Sequence, residues 1–149
     1  MGRNVSVEEF INILAKMQHN VTSEQGKAVA ESCALIQKNA QEIMEHTTID
    51  TSKTYYKHNK TIGHHPSAEG NPPAIDTGNL RRSITYNMIS ESEGEVGSLQ
   101  ATAPYGFFLE VGTSRMPRPR PWLKPATDMS KEKIKQIFTK LVDRGIKNV

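Results

Sequence analysis

Apolar residues recur every three or four positions through the amino-terminal third of the chain, which predicts a helical region over residues 1–46. Ser6 precedes the pattern as a candidate helix cap. The pattern is interrupted at His19 and Asn20, and Thr22 with Gln25 three positions later forms a capping box. We therefore expect either a short helix followed by a long one or a single kinked helix. The apolar positions are Phe10, Ile13, Leu14, Met17, Val29, Cys33, Ile36, Ala40, Ile43 and Met44.

The helical pattern disappears between residues 47 and 75. Thr, Lys, His, Asn, Gly and Pro dominate this stretch, which ends near Pro72 and Pro73. A residue that precedes proline is disfavoured in a helix. Structureless loops of more than about 15 residues are uncommon in compact domains and are usually functional or disordered. We predict a long mobile loop over 47–75.

Residues 76–149 carry the signals of a small antiparallel sheet followed by a C-terminal helix. Asp76 or Thr77 is a candidate cap for a helical turn over 76–83. Residues 84–89 alternate in polarity and include β-branched and aromatic side chains, which favour a strand. A turn at 91–94 and a second, weaker strand at 95–99 complete an antiparallel hairpin.

Two segments follow the hairpin. Residues 104–111 form the densest apolar and aromatic cluster, and Gly112 just after it favours a two-turn helix, with a strand as the alternative. Three alternating prolines in 117–121 impose an extended path. From Trp122 onward an apolar face recurs at helical spacing, and we predict that this helix stops at Gly145.

Composition limits the class of protein. The length of 149 residues fits one domain of about 100–200 residues. No stretch approaches the roughly 20 apolar residues of a membrane span, so no membrane partner is expected. The only cysteine, Cys33, has no partner for an internal disulfide, which argues against a disulfide-stapled secreted domain.

The net charge of +3 is too small to require a nucleic-acid partner, but the charges are unevenly distributed. Residues 1–50 hold seven acidic and four basic side chains, whereas residues 126–149 hold three acidic and six basic ones. This asymmetry suits head-to-tail contact between copies or a charged partner, and solvated helix faces are the alternative interpretation. An acid-free run within 112–125 contains four candidate contact residues, Arg115, Arg118, Arg120 and Lys124.

No catalytic, metal or cofactor site is predicted, and we expect a protein that is not an enzyme. His58, His64 and His65 lie in one loop, but adjacent histidines are poor geometry for one zinc ion, and no cysteine pair accompanies them. Glu110 follows three apolar residues and should be partly buried, so it needs a partner. We expect Glu110 to hold neighbouring backbone or an arginine in place.

The arginine-rich segment also allows a nucleic-acid interpretation. Its cations could contact phosphates, each adding a salt-dependent contribution to binding. Its prolines leave no helix to enter a groove, and no aromatic strand platform accompanies it. We prefer docking on an acidic face of another subunit and keep a DNA-binding protein as the alternative function.

Three segments, in this order, resemble elements of a tailed-bacteriophage family, the gene-product-ten-like tail-component proteins. Residues 72–84 resemble its Thr-Gly-x-Leu-Arg-x-Ser-Ile element. Residues 105–113 resemble its aromatic–Glu–aliphatic–Gly-Thr run. Residues 117–126 resemble its Pro-aromatic-Leu-Arg/Lys-Pro-Ala segment, which leads into a C-terminal helix. The motif residues in this sequence are Thr77, Gly78, Leu80, Arg81, Ser83, Tyr105, Glu110, Gly112, Thr113, Pro121, Trp122, Leu123, Pro125 and Ala126.

The resemblance implies an α+β fold in which a long N-terminal helix and a C-terminal helix pack on a small antiparallel β-sheet. It implies a ring, expected to be a hexamer, at the neck or tail end of a virion assembled in the bacterial cytoplasm. The implied role is tail completion and head–tail joining, with head-closure, tail-terminator or tail-tube proteins as partners and DNA in the channel as a secondary contact. We further predict an Arg81–Glu110 ion pair. Burial is predicted for Leu80, Phe108, Trp122 and Leu123.

Overall fold

The computed structural model describes residues 6–56 and 63–148 and has a mixed α+β fold, as predicted. Its two longest helices lie near the two ends of the sequence, and short strands and helices occupy the middle. The elements in chain order are α1 (Val7–Glu45), β1 (Tyr55–Tyr56), β2 (Gly63–His64), α2 (Asn79–Ser83), β3 (Ile84–Ser90), β4 (Glu93–Ser98), α3 (Gly106–Val111) and α4 (Leu123–Lys147). None of the helices in the described ranges is long and apolar enough to cross a membrane.

Helix α1 is a single helix of 39 residues, so the alternative of a short helix followed by a long one is wrong. The cap at its start is confirmed, since the Ser6 hydroxyl accepts a hydrogen bond from the Glu9 N–H at 3.1 Å. Thr22 does not start a helix. Its hydroxyl donates to the Gln18 carbonyl one turn earlier, at 2.9 Å, which lets this polar residue sit inside the helix.

Two short strands lie within the segment 47–75, which the sequence predicts as a long mobile loop. Strand β1 pairs antiparallel with β2, with Tyr55 opposite His64. Nearer the ends of the segment 47–75, the Asp50 N–H donates to the Pro66 carbonyl at 2.8 Å. Ser67, the next residue after Pro66, is buried. Residues 57–62, including the candidate ligand His58, lie outside the described ranges.

The hairpin prediction is confirmed by β3 and β4, which form a two-stranded sheet. The helical turn before it is confirmed as α2, but the predicted cap at Asp76 or Thr77 is wrong, because Gly78, which has no side chain, occupies the cap position. The Thr77 hydroxyl, one position earlier, accepts a hydrogen bond from the Asn79 N–H at 3.3 Å. Gly78, directly before α2, has a φ of 75°, a conformation that side-chain-bearing residues rarely adopt. The glycine therefore permits the turn that leads into α2.

Helix α4 does not stop at Gly145 as predicted but continues to Lys147. A Cβ atom at this glycine would lie 3.0 Å from the Val21 Cα and 3.1 Å from the Asn20 carbonyl oxygen. The Asn20 side-chain amide also donates to the Asn148 carbonyl at 2.9 Å. Gly145 therefore allows close approach of α4 to α1 rather than ending the helix.

The structure divides into two compact units, each with its own buried residues. The first unit comprises α1 up to Cys33, the hairpin tip Asn87–Glu95 and α4 from Glu132 onward. Its buried apolar residues are Ala28, Val29, Cys33, Ile137 and Leu141. Burial raises the pKa of the Cys33 thiol, which disfavours the reactive thiolate.

The second unit comprises Ala34–Tyr86 and Val96–Lys131, and it contains all three motif segments. Two side-chain amides of α1 anchor the region around α2, because Gln37 donates to the Ile84 carbonyl at 3.1 Å and Gln41 donates to the Arg81 carbonyl at 3.2 Å. The core of this unit consists of Ala40, Met44, Leu80, Ile84, Ala103, Trp122 and Ala126.

Candidate subunit-contact site

The three motif segments meet at the side chain of Trp122, which is only 3% exposed. Its indole N–H donates to the Gly106 carbonyl at 2.9 Å. A Cβ atom at Gly106 would lie 2.9 Å from the Leu80 Cδ1 atom, so a side chain at position 106 would displace Leu80. Burial of Leu80 and Trp122 is confirmed, and Leu123 packs against the same core.

Glu110 caps the amino terminus of α4. One carboxylate oxygen, Oε2, accepts the N–H groups of Trp122 at 2.7 Å and Leu123 at 2.8 Å, and Oε1 accepts that of Lys124 at 2.8 Å. The first N–H groups of a helix have no partner within the helix, and a negative charge is favourable there. Pro125, the next residue, has no N–H to satisfy. One carboxylate and one proline thus complete the start of α4.

The capping geometry decides between the two interpretations of Glu110. Holding neighbouring backbone is confirmed, and the ion pair with Arg81 is wrong. Arg81 instead pairs with Glu45 in the last turn of α1. The carboxylate oxygens of Glu110 are occupied by three backbone donors at short distance, which leaves the arginine to the nearer acid at the end of α1.

Backbone contacts of Ser83 join α2 to the residue that follows β4. The Ser83 hydroxyl donates to the Leu80 carbonyl at 2.7 Å, and the Ser83 carbonyl accepts the Leu99 N–H at 3.0 Å. The Ser83 side chain is buried. A small hydroxyl side chain fits this position because it bonds its own helix and leaves no unsatisfied donor in the core.

The segment from Gly112 to Pro121 is a loop held at both ends by α3. Gly112 has a φ of 82°, and its N–H closes α3 by donating to the Phe108 carbonyl at 2.8 Å. Thr113 and Met116 exchange two backbone hydrogen bonds of 3.0 Å each. The Arg120 N–H donates to the Leu109 carbonyl at 2.8 Å. The prolines thus shape a bridged loop rather than a free arm, and the half-buried Pro121 leads into Trp122.

Four large side chains of α3 and its flank are exposed. These are Tyr105 at 43%, Phe107 at 57%, Phe108 at 52% and Val111 at 55%, which we call the aromatic face. The Phe107 and Phe108 rings meet edge to face with centroids 5.7 Å apart. The predicted burial of Phe108 is wrong, because a six-residue helix turns only one side to the core and Gly106, Leu109 and Glu110 occupy that side.

A cavity of about 290 Å³ adjoins the aromatic face. Tyr105 and Leu109 of the α3 region form one wall, and the residues before α2, including Ile75 and Thr77, form another. Met44 of α1 also lines it. The cavity thus forms a depression beside the aromatic face, lined by both apolar and polar side chains.

The four predicted contact cations divide into two groups. Two have acidic partners: Arg118 pairs with Glu69 at 3.0 Å, and Lys124 pairs with Asp128 at 2.9 Å. Arg115 is exposed and Arg120 is half-buried. Hydrogen bonds from Lys131 and Lys124 lower the pKa of Asp128 to about 2, and the same carboxylate raises the pKa of Lys124.

The amino-terminal turns of α1 carry four exposed apolar residues, two of which, Phe10 and Leu14, belong to the predicted helical pattern. Val7 is 78% exposed, Phe10 53%, Ile11 59% and Leu14 47%. They fall at positions i, i+3, i+4 and i+7, which places them on one side of the helix. We call them the amino-terminal face. Their spacing is visible in the sequence, but their exposure is not.

No group of three or more metal-ligating side chains is found within 6–56 and 63–148. The His65 ring nitrogen Nδ1 lies 2.9 Å from the Lys53 carbonyl, and the His64 Nδ1 lies 3.9 Å from an oxygen of Asp76. Where they are described, the loop histidines thus contact the loop's own backbone and a nearby carboxylate.

Comparison with family models, curated proteins and solved structures found no match to this chain.

Proposed function

We propose that this chain is a non-enzymatic structural protein of a tailed bacteriophage or prophage, which forms a ring at the neck or tail end and acts in tail completion and head–tail joining. The observation that carries the proposal is the convergence of three separate sequence segments, each resembling the same tail-component family, on one core. Trp122 from the third segment bonds Gly106 from the second and lies in a cluster with Leu80 from the first.

The contacts within this core give a structural role to several residues of the three segments. Glu110 and Pro125 complete the start of α4, and Gly106 leaves room for Leu80. These roles concern the integrity of the fold. The partner-binding role falls to what the core displays, namely the aromatic face and the neighbouring arginine loop.

A ring needs two different surfaces on each copy, so that the contact repeats and closes. This chain exposes two apolar surfaces of different character, the aromatic face of α3 and the amino-terminal face of α1. We expect six copies, in keeping with the sixfold symmetry of tails. Virion neck or tail end is the proposed location, and other neck or tail proteins are the proposed axial partners.

The decisive experiment removes the chain from the phage or prophage that encodes it and examines the particles by electron microscopy. Tailless heads accompanied by finished, unattached tails are expected. Supplying the wild-type chain in trans should restore joined particles. Normal particles in its absence would overturn the proposal.

A DNA-binding protein is the competing function, and a salt titration separates the two. Nanomolar binding of duplex DNA that falls steeply with salt, and that is lost on replacing Arg115 and Arg120 by glutamine, would favour the competitor. We expect weak binding of duplex DNA that does not change when Arg115 and Arg120 are replaced. The Arg118 and Lys124 side chains already bond carboxylates, which reduces the charge that the segment offers to phosphates.

A further inference from the structure

The amino-terminal face of α1 has the form of a helical docking segment. Its four apolar side chains line one side of two consecutive turns and are all exposed. In the first unit, α4 meets α1 at Asn20 and Val21 and ends at Lys147, so α4 stops short of these turns. An apolar stripe on a helix is ordinarily covered by another surface.

The aromatic face has the form of a receptor for such a segment. Tyr105, Phe107, Phe108 and Val111 expose three aromatic rings and one aliphatic side chain over a short stretch. The cavity beside Tyr105 and Leu109 adds a depression of about 290 Å³. An amphipathic helix that places anchors at i, i+3, i+4 and i+7 into an apolar depression is a recurrent mode of recognition.

The charges that flank the two faces are opposite in sign. The first turn of α1 holds Glu8 and Glu9, and no basic residue occurs between positions 6 and 15. The loop beside the aromatic face holds Arg115, Arg118 and Arg120 and no acid of its own, although Arg118 already pairs with Glu69. Opposite charges around an apolar contact steer association and fix its register. Contact between two copies of the same face would instead bring charges of the same sign together. The charges therefore select the unlike pairing.

We propose that the amino-terminal face of one copy docks on the aromatic face of a second copy, head to tail, with Glu8 facing Arg115. The inference rests on the proposed ring and names the contact that builds it. Because the two faces differ, every copy keeps one face of each kind free until the ring closes. Closure then gives each copy two contacts, which raises the overall affinity above that of one contact.

The contact is small. Four large side chains on each side fall below the roughly 800 Å² per partner of a standard protein interface. We therefore expect assembly to depend strongly on concentration in solution and to be favoured where copies are gathered on a tail end.

The test compares the full-length chain with three aspartate variants by sedimentation velocity over a concentration series. Phe10→Asp disables the amino-terminal face, and Phe108→Asp disables the aromatic face. Ile89→Asp, at a 54% exposed position on β3, is the matched control. The control should assemble like the wild type. Each face variant should need about tenfold or more concentration to assemble, because a buried aromatic contact is replaced by a charge.

Mixing the two face variants gives the sharpest result. A Phe10→Asp copy retains a working aromatic face, and a Phe108→Asp copy retains a working amino-terminal face. The mixture should form 1:1 dimers that do not grow, since each dimer has only disabled faces left. A mixture that stays monomeric, or a face variant that assembles like the wild type, would overturn the contact.

Charge reversal provides an independent readout. Glu8→Arg and Arg115→Glu should each weaken assembly about two- to fivefold, as expected for an exposed ion pair. The double variant should recover much of the loss. No recovery would overturn the Glu8–Arg115 register.

Two outcomes separate this contact from the proposed function. Closed oligomers of the wild type combined with failure of the mixing test would overturn the contact and leave the ring. A wild-type chain that stays monomeric at every concentration would also overturn the contact, while the role in tail completion is decided by particle morphology. Unchanged thermal unfolding of the variants, followed by circular dichroism, distinguishes loss of contact from loss of fold.

Discussion

The two ends of α1 have similar apolar spacing and opposite surroundings. Near the carboxyl end, Ala40 and Met44 are buried in the core of the second unit, and Gln37 and Gln41 bond backbone carbonyls outside the helix. Near the amino end, the equivalent stripe from Val7 to Leu14 is exposed. The difference teaches that helical periodicity identifies the side of a helix that needs a cover. It does not identify which chain supplies that cover.

Truncating one apolar residue at each end of α1 tests most directly whether the two ends are packed differently. Met44→Ala should lower the free energy of unfolding by about 2–5 kcal/mol, because it leaves a cavity in the core. Leu14→Ala should change it by no more than about 0.5 kcal/mol, as at other exposed positions. Urea unfolding at low protein concentration measures both. Equal losses would show that α1 is packed alike at both ends.

The Glu110 cap at the start of α4 should contribute measurably to stability. Glu110→Gln replaces one accepting oxygen by an amide that faces backbone donors, so it should lower the free energy of unfolding by about 1.5–3 kcal/mol. Glu93→Gln, at an exposed position on β4, is the matched control and should be near neutral. Urea unfolding of both variants tests the cap. A neutral result at Glu110 would contradict it.

The side-chain amides of α1 should contribute differently to stability at its two ends. Gln41→Ala removes the hydrogen bond to the Arg81 carbonyl and should cost about 0.5–1.5 kcal/mol of unfolding free energy. Gln18→Ala, at an exposed site on the same helix, provides the control and should cost nothing. Thermal unfolding is sufficient to compare them. If Gln18→Ala proved as costly as Gln41→Ala, the two ends would not differ in their polar anchoring.

The smallest expected effect concerns pH. Lys131 and Lys124 lower the pKa of Asp128 to about 2 from its ordinary value of 3.8. A depressed carboxyl pKa adds stability above the unfolded pKa, and that stability is lost as the pH falls toward the folded pKa. The difference in melting temperature between the wild type and Asp128→Asn should therefore shrink between about pH 4 and pH 2. A difference that grows with acidity would contradict this ion-pair network.

The sequence predicted the α+β class, the start of α1, the hairpin and the turn before it, because each rests on local signals such as capping and alternation. It mistook Gly145 for a helix end, since a glycine needed for close helix contact has the same local appearance as one needed for a turn. It also missed β1 and β2, whose two-residue strands are too short to carry a periodic signal.

At the site, local reasoning found the important residues but not all of their partners. Glu110 was expected to hold backbone or an arginine, and only the folded chain shows which, because its three donors lie 12 to 14 positions away. Phe108 was expected to be buried on the strength of its neighbours. Burial in a short helix depends on which side meets the core, and this depends on tertiary contacts such as the Trp122–Gly106 bond.

The division of residues within α3 has a consequence for how this protein could change over time. Gly106, Leu109 and Glu110 serve the fold, while Phe107, Phe108 and Val111 point away from it. Substitutions at the outward positions leave the cap and the core untouched, so under the proposed contact the residues that bind a second copy are separate from the residues that hold the fold. Substituting these three side chains would therefore change the proposed contact surface without changing the stability of the fold.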